Sequence, residues 1–544
     1  MVVTSLFAAM ASADSSSESN VKYSSNTIYV PDDYAKIQWA VDNASAGDTI
    51  IVRDDTYYEN INVNIPHLTI RSENGSTNCI GQAANPYDHV FEVIADYVNI
   101  SGFTVQNATG PGKTGIYLNG VEHCDISDNN VSNNFYGIYL YLSSSNNNLT
   151  NNNASDNNEC GIILEYWSNY NTLTNNIASY NTHSGIVLDY SSNNALTNNI
   201  ASNNSGGYGI SVYHSSNNNN LTNNIASNND DDGIKLFSSN NNNLTNNTAN
   251  SNGEGSIPSA GIALDYFSNY NTLTNNICNE NNQDGIKLKD SSINIITGNT
   301  CNENNHFGIS LYYPLNTIYL NNFGDNTGPN VHSSDFNTWN SPEEMTYTYH
   351  GESYTNYLGN YYSDYTGLDD GSGGRVAGDG IGDTSIPYPT DGDGDNYPLM
   401  EPWGNYFKPT ENIFDTDAGT YPSIAGIHNG TITPNVDITV NKLYTYPCAG
   451  TGGHTKSIEL YEDETLIASD VWNGYQGDWH NITFTPSVTL LKDHEYRYVI
   501  TTGSYPQIIH ESTFNATGGT ITCEGFRDVN GVVHYDWIPA ILLY

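Results

Sequence analysis

Positive charge is scarce in this sequence of 544 residues, where 15 lysines and arginines stand against 59 aspartates and glutamates. The formal net charge of -44 excludes a general nucleic-acid-binding protein, because nothing here neutralises a run of phosphates. It also argues against docking on anionic lipid. We expect neutral glycans or divalent cations as ligands, and expect acidic polymers to bind only through bridging metal ions.

Long apolar runs are also missing, since no stretch approaches the roughly 18 apolar residues of a membrane-spanning helix. The short apolar run 2–10, followed by Ala11-Ser12-Ala13, resembles a secretory signal, although the basic start is missing. Seven cysteines permit disulfides and leave at least one thiol unpaired. We therefore predict a secreted protein, extracellular or on the cell surface.

What the sequence has in abundance is a repeat. A Gly-Ile pair recurs at steps of 22–24 residues, with one step of 28, at Gly115, Gly137, Gly161, Gly185, Gly209, Gly233, Gly261, Gly285 and Gly308. Most units read Gly-Ile-x-Leu, a polar turn, Leu-Thr-Asn-Asn-Ile and a second Asn-rich turn, as in 161–177. Two or three short strands in so few residues leave no room for a helix. This pattern predicts an all-β fold, a parallel β-helix in which the first and third residues after each Gly point inward.

Asparagine has a physical role in such a solenoid. It tolerates left-handed backbone at tight turns, and its amide can bond to the Asn of the next turn. We predict one such ladder, formed by Asn176, Asn199, Asn224, Asn247, Asn276 and Asn299.

The pattern divides the chain into four segments. A leader (1–25) precedes the β-helix (26–344), whose open end is capped by a predicted helix over Asp33–Ala44. A Tyr-, Gly- and Asp-rich segment (345–410) ends the β-helix and links it to 411–544. There the Asn repeats vanish, and short alternating segments between turns predict an antiparallel β-sandwich.

Several segments resemble known families. The segments 28–31, 37–41 and 46–52, with 380–383 and 395–400, resemble the two ends of the repeat region of NosD-like β-helix proteins. The resemblance implies that the parallel β-helix is right-handed, and the family belongs to a broader group of β-helix carbohydrate-binding proteins and sugar hydrolases. Residues 443–448 and 535–540 resemble a module found in secreted proteins of methane-cycling archaea. The copper role of NosD does not carry over, because the 4 Met and the scattered His and Cys lack metal-ligand spacing.

Aromatic residues recur two, four and five positions after the repeat glycines. Positions two and four face solvent, so we expect these rings to line one side of the solenoid. They are Tyr117, Tyr139, Tyr141, Tyr166, Tyr190, Tyr213, Phe237, Tyr266, Tyr312 and Tyr313, with Trp167 adjacent. Rings on a rigid repeating surface suit stacking against sugars, and all of these except the last two Tyr are our candidate glycan-binding residues. A Tyr ladder that stabilises the turns without a ligand, and a protein–protein contact, are the alternatives.

No catalytic motif is present, and the outward carboxylates Glu165, Asp189 and Asp265 are weak candidates. Glu165 and Asp189 lie one turn apart, which could suit the paired carboxylates of glycoside hydrolysis. Any two stacked acids on a solvated acidic surface would look the same.

An Asp-rich segment is the candidate metal site. Asp391, Asp393 and Asp395 alternate with Gly, which is the spacing by which Ca²⁺ loops gather oxygen ligands, and Asp379 and Asp383 could complete the shell. We expect a structural Ca²⁺ ion there, with a merely acidic solvated loop as the alternative.

The cysteines suggest structural pairs. Cys278 and Cys301 occupy equivalent positions in adjacent repeats, within disulfide range for stacked strands. Cys448 and Cys523 are the two cysteines of the last domain and form the second predicted disulfide.

Taken together, these features predict a non-catalytic, secreted cell-surface β-helix protein. It would bind an extracellular polysaccharide or cell-envelope glycan, or serve as an adhesive or envelope component. A polysaccharide hydrolase or lyase is the second hypothesis, and a self-assembling structural protein is the third.

Overall fold

The computed structural model describes residues 25–253, 255, 259–350, 352–383, 388–389, 394–407, 413–420, 423–448, 455–472, 481–503 and 505–544. These residues form two compact units. The first consists of the described residues up to 346 together with 354–403, and the second of 347–353 with 404–544.

The first unit is a parallel β-solenoid, as predicted. Its first face is a 13-stranded sheet whose parallel strands are Thr27–Val30, Thr49–Val52, Thr69–Ser72, Asn99–Ser101, Asp125–Ser127, Asn148–Thr150, Thr172–Thr174, Ala195–Thr197, Asn220–Thr222, Asn243–Thr245, Thr272–Thr274, Ile295–Thr297 and Thr317–Tyr319. Its second face is a 12-stranded sheet of Ile61–Val63, Phe91–Val93, Thr114–Asn119, Tyr136–Tyr141, Ile162–Glu165, Ile186–Asp189, Ile210–Tyr213, Ile234–Phe237, Ile262–Asp265, Ile286–Lys289, Ile309–Leu311 and Val331–Ser333.

A third face is narrower. Strands Asp55–Tyr58, Cys79–Gln82, Thr104–Gln106 and Asn130–Ser132 begin it, and Thr300–Asn302, Asn322–Gly324 and Tyr361–Tyr362 end it. Between them single parallel bridges run through Asn153, Ile177, Ile200, Ile225, Thr248 and Ile277. The unit also contains short elements at Met345–Tyr349, Glu352–Asn356, Ser372–Gly374, Tyr388–Pro389, Gly394–Asp395 and Trp403–Asn405. The first, second and last of these include residues of the second unit.

The predicted cap helix is present and shorter than predicted, over Ile37–Asn43. Asp33 is not helical, because its backbone N–H and its carboxylate close a turn with Tyr29. Glu59 accepts the free N–H groups of Ile37 and Gln38 at 2.9 and 3.0 Å, which satisfies the start of the helix. Ile37, Ala40 and Val41 are buried, as the predicted apolar face requires.

The Gly-Ile-x-Leu unit folds as predicted. Ile186 and Leu188, the first and third residues after Gly185, are fully buried, whereas Val187 and Asp189 face outward. The glycine is needed because successive turns approach closely. A Cβ on Gly185 would lie 2.6 Å from the carbonyl oxygen of Ala178 and 2.7 Å from that of Gly209.

Buried asparagines hold the turns together. Oδ1 of Asn224 accepts the backbone N–H and the Nδ2–H of Asn199 at 2.9 and 3.0 Å, and Asn224 makes the same two bonds to Asn247. The predicted ladder extends beyond the six residues named, from Asn129 to Asn360. In the Asn-Asn sequence pairs of the repeat, the first residue, such as Asn223 before Asn224, adopts a left-handed conformation, with φ of 57° at Asn223.

Two further ladders were not predicted. They consist of Asn134, Asn157, Asn181, Asn204, Asn229, Asn252, Asn281, Asn304 and Asn326, and of Asn147, Asn171, Asn194, Asn219, Asn242, Asn271, Asn294, Asn316 and Asn337. Each turn therefore uses about three inward amides to pair backbone groups at its bends.

The second unit consists of antiparallel sheets, as predicted. One contains Phe414–Asp415, Ile438–Thr445, Asn481–Leu490 and Ile541–Leu543. The other contains Gly426–Pro434, Thr455–Glu462, Thr465–Val471, Tyr496–Thr502, Thr513–Ala516, Gly519–Thr522, Gly525–Asp528 and Val533–His534. Ile508–Ile509 pairs with Ile538–Pro539. Side chains from both large sheets, such as Val440 and Tyr498, share one core, which is the arrangement of a β-sandwich.

Removing one ladder amide should destabilise the solenoid strongly. Asn224→Ala leaves the N–H and Nδ2–H of Asn199 without their acceptor, so we expect the free energy of unfolding in urea to fall by about 2–4 kcal/mol. Asn220→Ala is the control, because Asn220 is exposed and its neighbour in register is already Ala195. Equal losses in the two variants would contradict the role assigned to the ladder.

Candidate functional site

Aromatic side chains follow one another along the outside of the second face. The rings of Tyr141 and Tyr166 lie 5.5 Å apart, those of Tyr166 and Tyr190 lie 6.1 Å apart and nearly parallel, and those of Phe237 and Tyr266 lie 4.5 Å apart. His214 fills the gap, 5.2 Å from Tyr190 and 5.8 Å from Phe237. These six residues form a continuous row across six turns, which we call the aromatic row.

His214 was missed by the sequence analysis. It stands five residues after Gly209, the position that Tyr166 and Tyr190 hold after their own glycines. Its imidazole stacks on Tyr190 with an interplanar angle of 19°, so it continues the row as a planar ring. The shared position was the available signal, and the search for Tyr, Phe and Trp passed over it.

The predicted glycan-binding residues differ in exposure. Tyr166, Tyr190 and Tyr266 are 37, 42 and 49% exposed, and Trp167 beside them is 59% exposed. Tyr166 and Tyr190 stack on each other and Tyr190 stacks on His214, so the exposed part of these rings is what a sugar could contact.

Three predicted residues are instead engaged within the protein. The Tyr117 ring stacks on His89 at 4.3 Å, and burial raises the pKa of Tyr117 to about 12. Tyr139 donates its hydroxyl to Glu165, and the Tyr213 ring contacts Tyr208 edge-on. For these three tyrosines the alternative of mutual support between turns describes the contacts better.

A groove of about 240 Å³ lies beside the row. It is lined by Tyr136, Tyr139, Glu159, Cys160, Ile163, Glu165, His183, Ser184, Val187, Asp189, Ser211 and Tyr213. Ile163, Val187 and Ser211 stand in register on three successive strands and form its floor. Residues that precede these strands line one side and residues that end them line the other, because parallel strands begin at the same edge of a sheet.

Two of the three candidate carboxylates meet in this groove. Glu165 and Asp189 are register partners on adjacent strands. Burial and, after it, the neighbouring Asp189 raise the pKa of Glu165 above its ordinary value. The imidazole Nδ1 of His214 lies 2.7 Å from the Asp189 carboxylate. The two carboxylates therefore lie in different environments.

Asp265 does not join them. It lies three strands beyond Asp189, where the buried ammonium of Lys235 is 2.5 Å from Asp265 and 3.1 Å from Asp232. Burial alone would lower the pKa of Lys235, and the two carboxylates raise it above its ordinary value. Lys235, Asp232 and Asp265 thus form a nearly buried ionic triad with Lys235 at its centre.

The predicted disulfides are not formed in the structure. Cys278 and Cys301 do lie on adjacent turns, fully buried, but as thiols, and burial followed by the neighbouring Cys278 raises the pKa of Cys301. The Cys448 thiol donates to the carbonyl of Pro506, and that of Cys523 to the carbonyl of His534. The equivalent positions of Cys278 and Cys301 on adjacent turns are as expected, and the two disulfides stay predictions.

The described carboxylates of the Asp-rich segment accept hydrogen bonds from backbone N–H groups. Asp395 is buried and accepts bonds from the N–H and Nδ2–H of Asn360, from the Tyr362 hydroxyl and from the Tyr397 N–H. Asp379 accepts the Ile381 N–H, and Asp383 accepts that of Gly371. Asp391 and Asp393 lie outside the described residues.

A metal centre is not evident from these side chains. In the described ranges, no three His, Cys, Asp or Glu side chains are grouped so that they could hold a metal ion. The Ca²⁺ site therefore stays a prediction.

Two family models match the solenoid. Residues 91–249 match the model described as "Right handed beta helix region", and residues 208–367 match "Periplasmic copper-binding protein (NosD)". Together the two matches run from residue 91 to residue 367, and over this range the solenoid is similar to NosD-like right-handed β-helix proteins. The part of this NosD-like chain that the structure describes has no helix long and apolar enough to cross a membrane.

One curated relative is similar over a short segment of the NosD-like protein. It is a cell surface glycoprotein of Methanothermus fervidus, 37% identical over 110 residues. The match covers 20% of this chain and 17% of that protein.

Solved structures resemble the NosD-like chain in fold. The A-module of a mannuronan C-5 epimerase of Azotobacter vinelandii is 17% identical, with a TM-score of 0.45 over 57% of this chain and 94% of that chain. The catalytic domain of a GH87 α-1,3-glucanase is 14% identical, with a TM-score of 0.45 over 53% and 63%. An alginate lyase of a Paenibacillus species is 15% identical, with a TM-score of 0.34 over 51% and 95%. These likenesses concern the fold alone.

The Lys235 triad should matter for the stability of the NosD-like solenoid. Lys235→Ala leaves two nearly buried carboxylates without a cation, so we expect the free energy of unfolding to fall by about 3–5 kcal/mol. Lys289, the exposed register partner of Asp265 on the next strand, is the control, and Lys289→Ala should change it by less than about 0.5 kcal/mol. Urea denaturation of both variants checks this, and a loss below about 1 kcal/mol for Lys235→Ala would contradict it.

Proposed function

We propose that this protein is a non-catalytic, secreted cell-surface β-helix protein that binds a polysaccharide along the aromatic row. The observation that carries the proposal is the row itself, with Tyr166, Tyr190 and Tyr266 each more than a third exposed on a rigid sheet. Large apolar rings in an ordered row on a soluble surface mark a binding site rather than a random exposure. The adjacent groove supplies hydroxyl and carboxylate groups that hydrogen-bond to sugars.

The repeat makes the surface suitable for a polymer. Successive strands lie about 4.8 Å apart, so the ring positions recur at a fixed interval along the solenoid. The rings are held by the left-handed corner that follows each strand, where φ is 50° at Tyr166 and 48° at Tyr190. A rigid platform of this kind loses little conformational freedom on binding an extended chain.

A cell-surface location is supported from two sides. The apolar start of the sequence resembles a secretory signal, and a 110-residue segment is similar to a cell surface glycoprotein. The net charge of -44 favours a neutral glycan over an acidic one at such a surface.

Truncating the row should weaken binding. Affinity electrophoresis in gels that contain soluble neutral polysaccharides (xylan, mannan, a β-glucan) should retard the protein in at least one gel. In that gel, the double variant Tyr166→Ala, Tyr190→Ala should bind roughly tenfold more weakly, because each lost ring contact is worth about 0.5–1.5 kcal/mol.

The control removes two tyrosines of similar backbone conformation and greater exposure. Tyr170 and Tyr180 are 60 and 63% exposed, with φ of 58° and 57°, and they stand outside the row. Tyr170→Ala, Tyr180→Ala should bind like the unmodified protein. An unretarded protein in every gel, or equal weakening in both double variants, would contradict the proposal.

A glycoside hydrolase is the second candidate, favoured by Glu165 and Asp189. Stacked carboxylates in unlike environments can divide the acid and base roles, and the raised pKa of Glu165 suits the acid. Mass spectrometry of the same polysaccharides after incubation tests this function. Oligosaccharides released by the unmodified protein but not by Glu165→Gln would support hydrolysis, and their absence on every polymer would oppose it.

A further inference from the structure

The groove beside the aromatic row carries three carboxylates. Glu159, Glu165 and Asp189 are among its twelve lining residues, and none of the twelve is Lys or Arg. In the part of the chain that the structure describes, Glu159 and Glu165 have no ion pair, and the basic partner of Asp189 is the His214 imidazole. The groove therefore presents carboxylates that no lysine or arginine of the described residues neutralises.

The nearest lysine along the sheet does not change this. Lys235 is the register partner of Ser211 at the end of the groove floor. Its ammonium is already bound between Asp232 and Asp265, and its side chain is 10% exposed. The same face thus shows how carboxylates of different turns bind an ammonium group between them.

A second observation points to a ligand. Ser211 is fully buried in the floor of the groove, and its hydroxyl has no hydrogen-bond partner among the described residues. Buried hydroxyls are nearly always paired, so an unpaired one beside a groove is placed for a group that arrives with a ligand. A sugar hydroxyl or amine can supply that bond.

We propose that the groove binds an amino sugar unit of the glycan, with its free ammonium between Glu165 and Asp189 and a polar group of the ring on Ser211. This inference rests on the proposed function, because the neighbouring sugars of the same chain stack on the aromatic row. It names the class of ligand as a glycan with unacetylated amino groups. Uronate-containing glycans are excluded, since their carboxylates would meet those of the groove.

Matched oligosaccharides test the inference. Isothermal titration calorimetry in about 0.15 M salt, where the Debye length is near 8 Å, limits the effect of distant charges. The probes are the hexamer of β-1,4-glucosamine, its fully N-acetylated form, and hexagalacturonate. We expect the amine hexamer to bind at least tenfold more tightly than the acetylated hexamer, and hexagalacturonate not to bind.

Two variants locate the effect. Glu165→Gln, Asp189→Asn should bind the amine hexamer about tenfold more weakly and the acetylated hexamer within twofold of the unmodified protein. Glu280→Gln, Glu303→Gln removes the same charge from another pair of adjacent turns, where both side chains are exposed, and should change neither affinity. Circular dichroism confirms that both variants are folded.

The outcomes separate the two proposals. If the acetylated hexamer binds as tightly as the amine, or hexagalacturonate binds, the amino-sugar inference is wrong and glycan binding stands. If both double variants lose the same affinity, the preference comes from net charge and the inference is again wrong. If no hexamer binds and the neutral gels do not retard the protein, the proposed function fails with it.

Discussion

The solenoid depends on one repeated interaction, in which a buried Asn oxygen accepts both the backbone N–H and the side-chain N–H of the Asn one turn before. At Asn224 these two bonds measure 2.9 and 3.0 Å, and Asn224 in turn donates its backbone N–H and its Nδ2–H to Oδ1 of Asn247. A bend in a buried chain leaves backbone groups that no strand pairs, and such groups are costly unless satisfied. Three ladders satisfy them in every regular turn.

A directional ladder also needs an end. Each Asn both donates and accepts hydrogen bonds. The final Asn of the series therefore requires an acceptor that has no N–H group of its own to be paired. Asp395 fills this role for the longest ladder, because its Oδ2 accepts the N–H of Asn360 at 2.7 Å and its Nδ2–H at 3.2 Å. An acidic residue that the sequence analysis assigned to calcium thus closes the hydrogen-bond series, and burial raises its pKa to about 6.

The period made the fold predictable from sequence, and the site much less so. Gly-Ile-x-Leu keeps its phase, which fixes the inward positions such as Ile186 and Leu188. Two ladders were not predicted because their members, such as Asn147 and Asn204, stand in runs of polar residues. In such runs, a shift of the alignment by one residue changes which amide is expected to point inward. The Lys235 triad was not predicted, since one of its two carboxylates, Asp265, lies 30 residues away on the next turn. Contacts between turns of unequal length cannot be found by period alone.

Charge acts on this protein at two ranges. The net charge of -44 repels acidic polymers during approach, but at physiological salt its reach is about one Debye length, near 8 Å. The electrostatic interaction with a bound sugar would therefore come mainly from the few groups beside it. Next to the aromatic row these are Glu165, Asp189 and the unpaired hydroxyl of Ser211, in a partly desolvated groove where an opposite charge interacts more strongly than in water. In the proposed complex, stacking positions the glycan, and these three groups select the sugar.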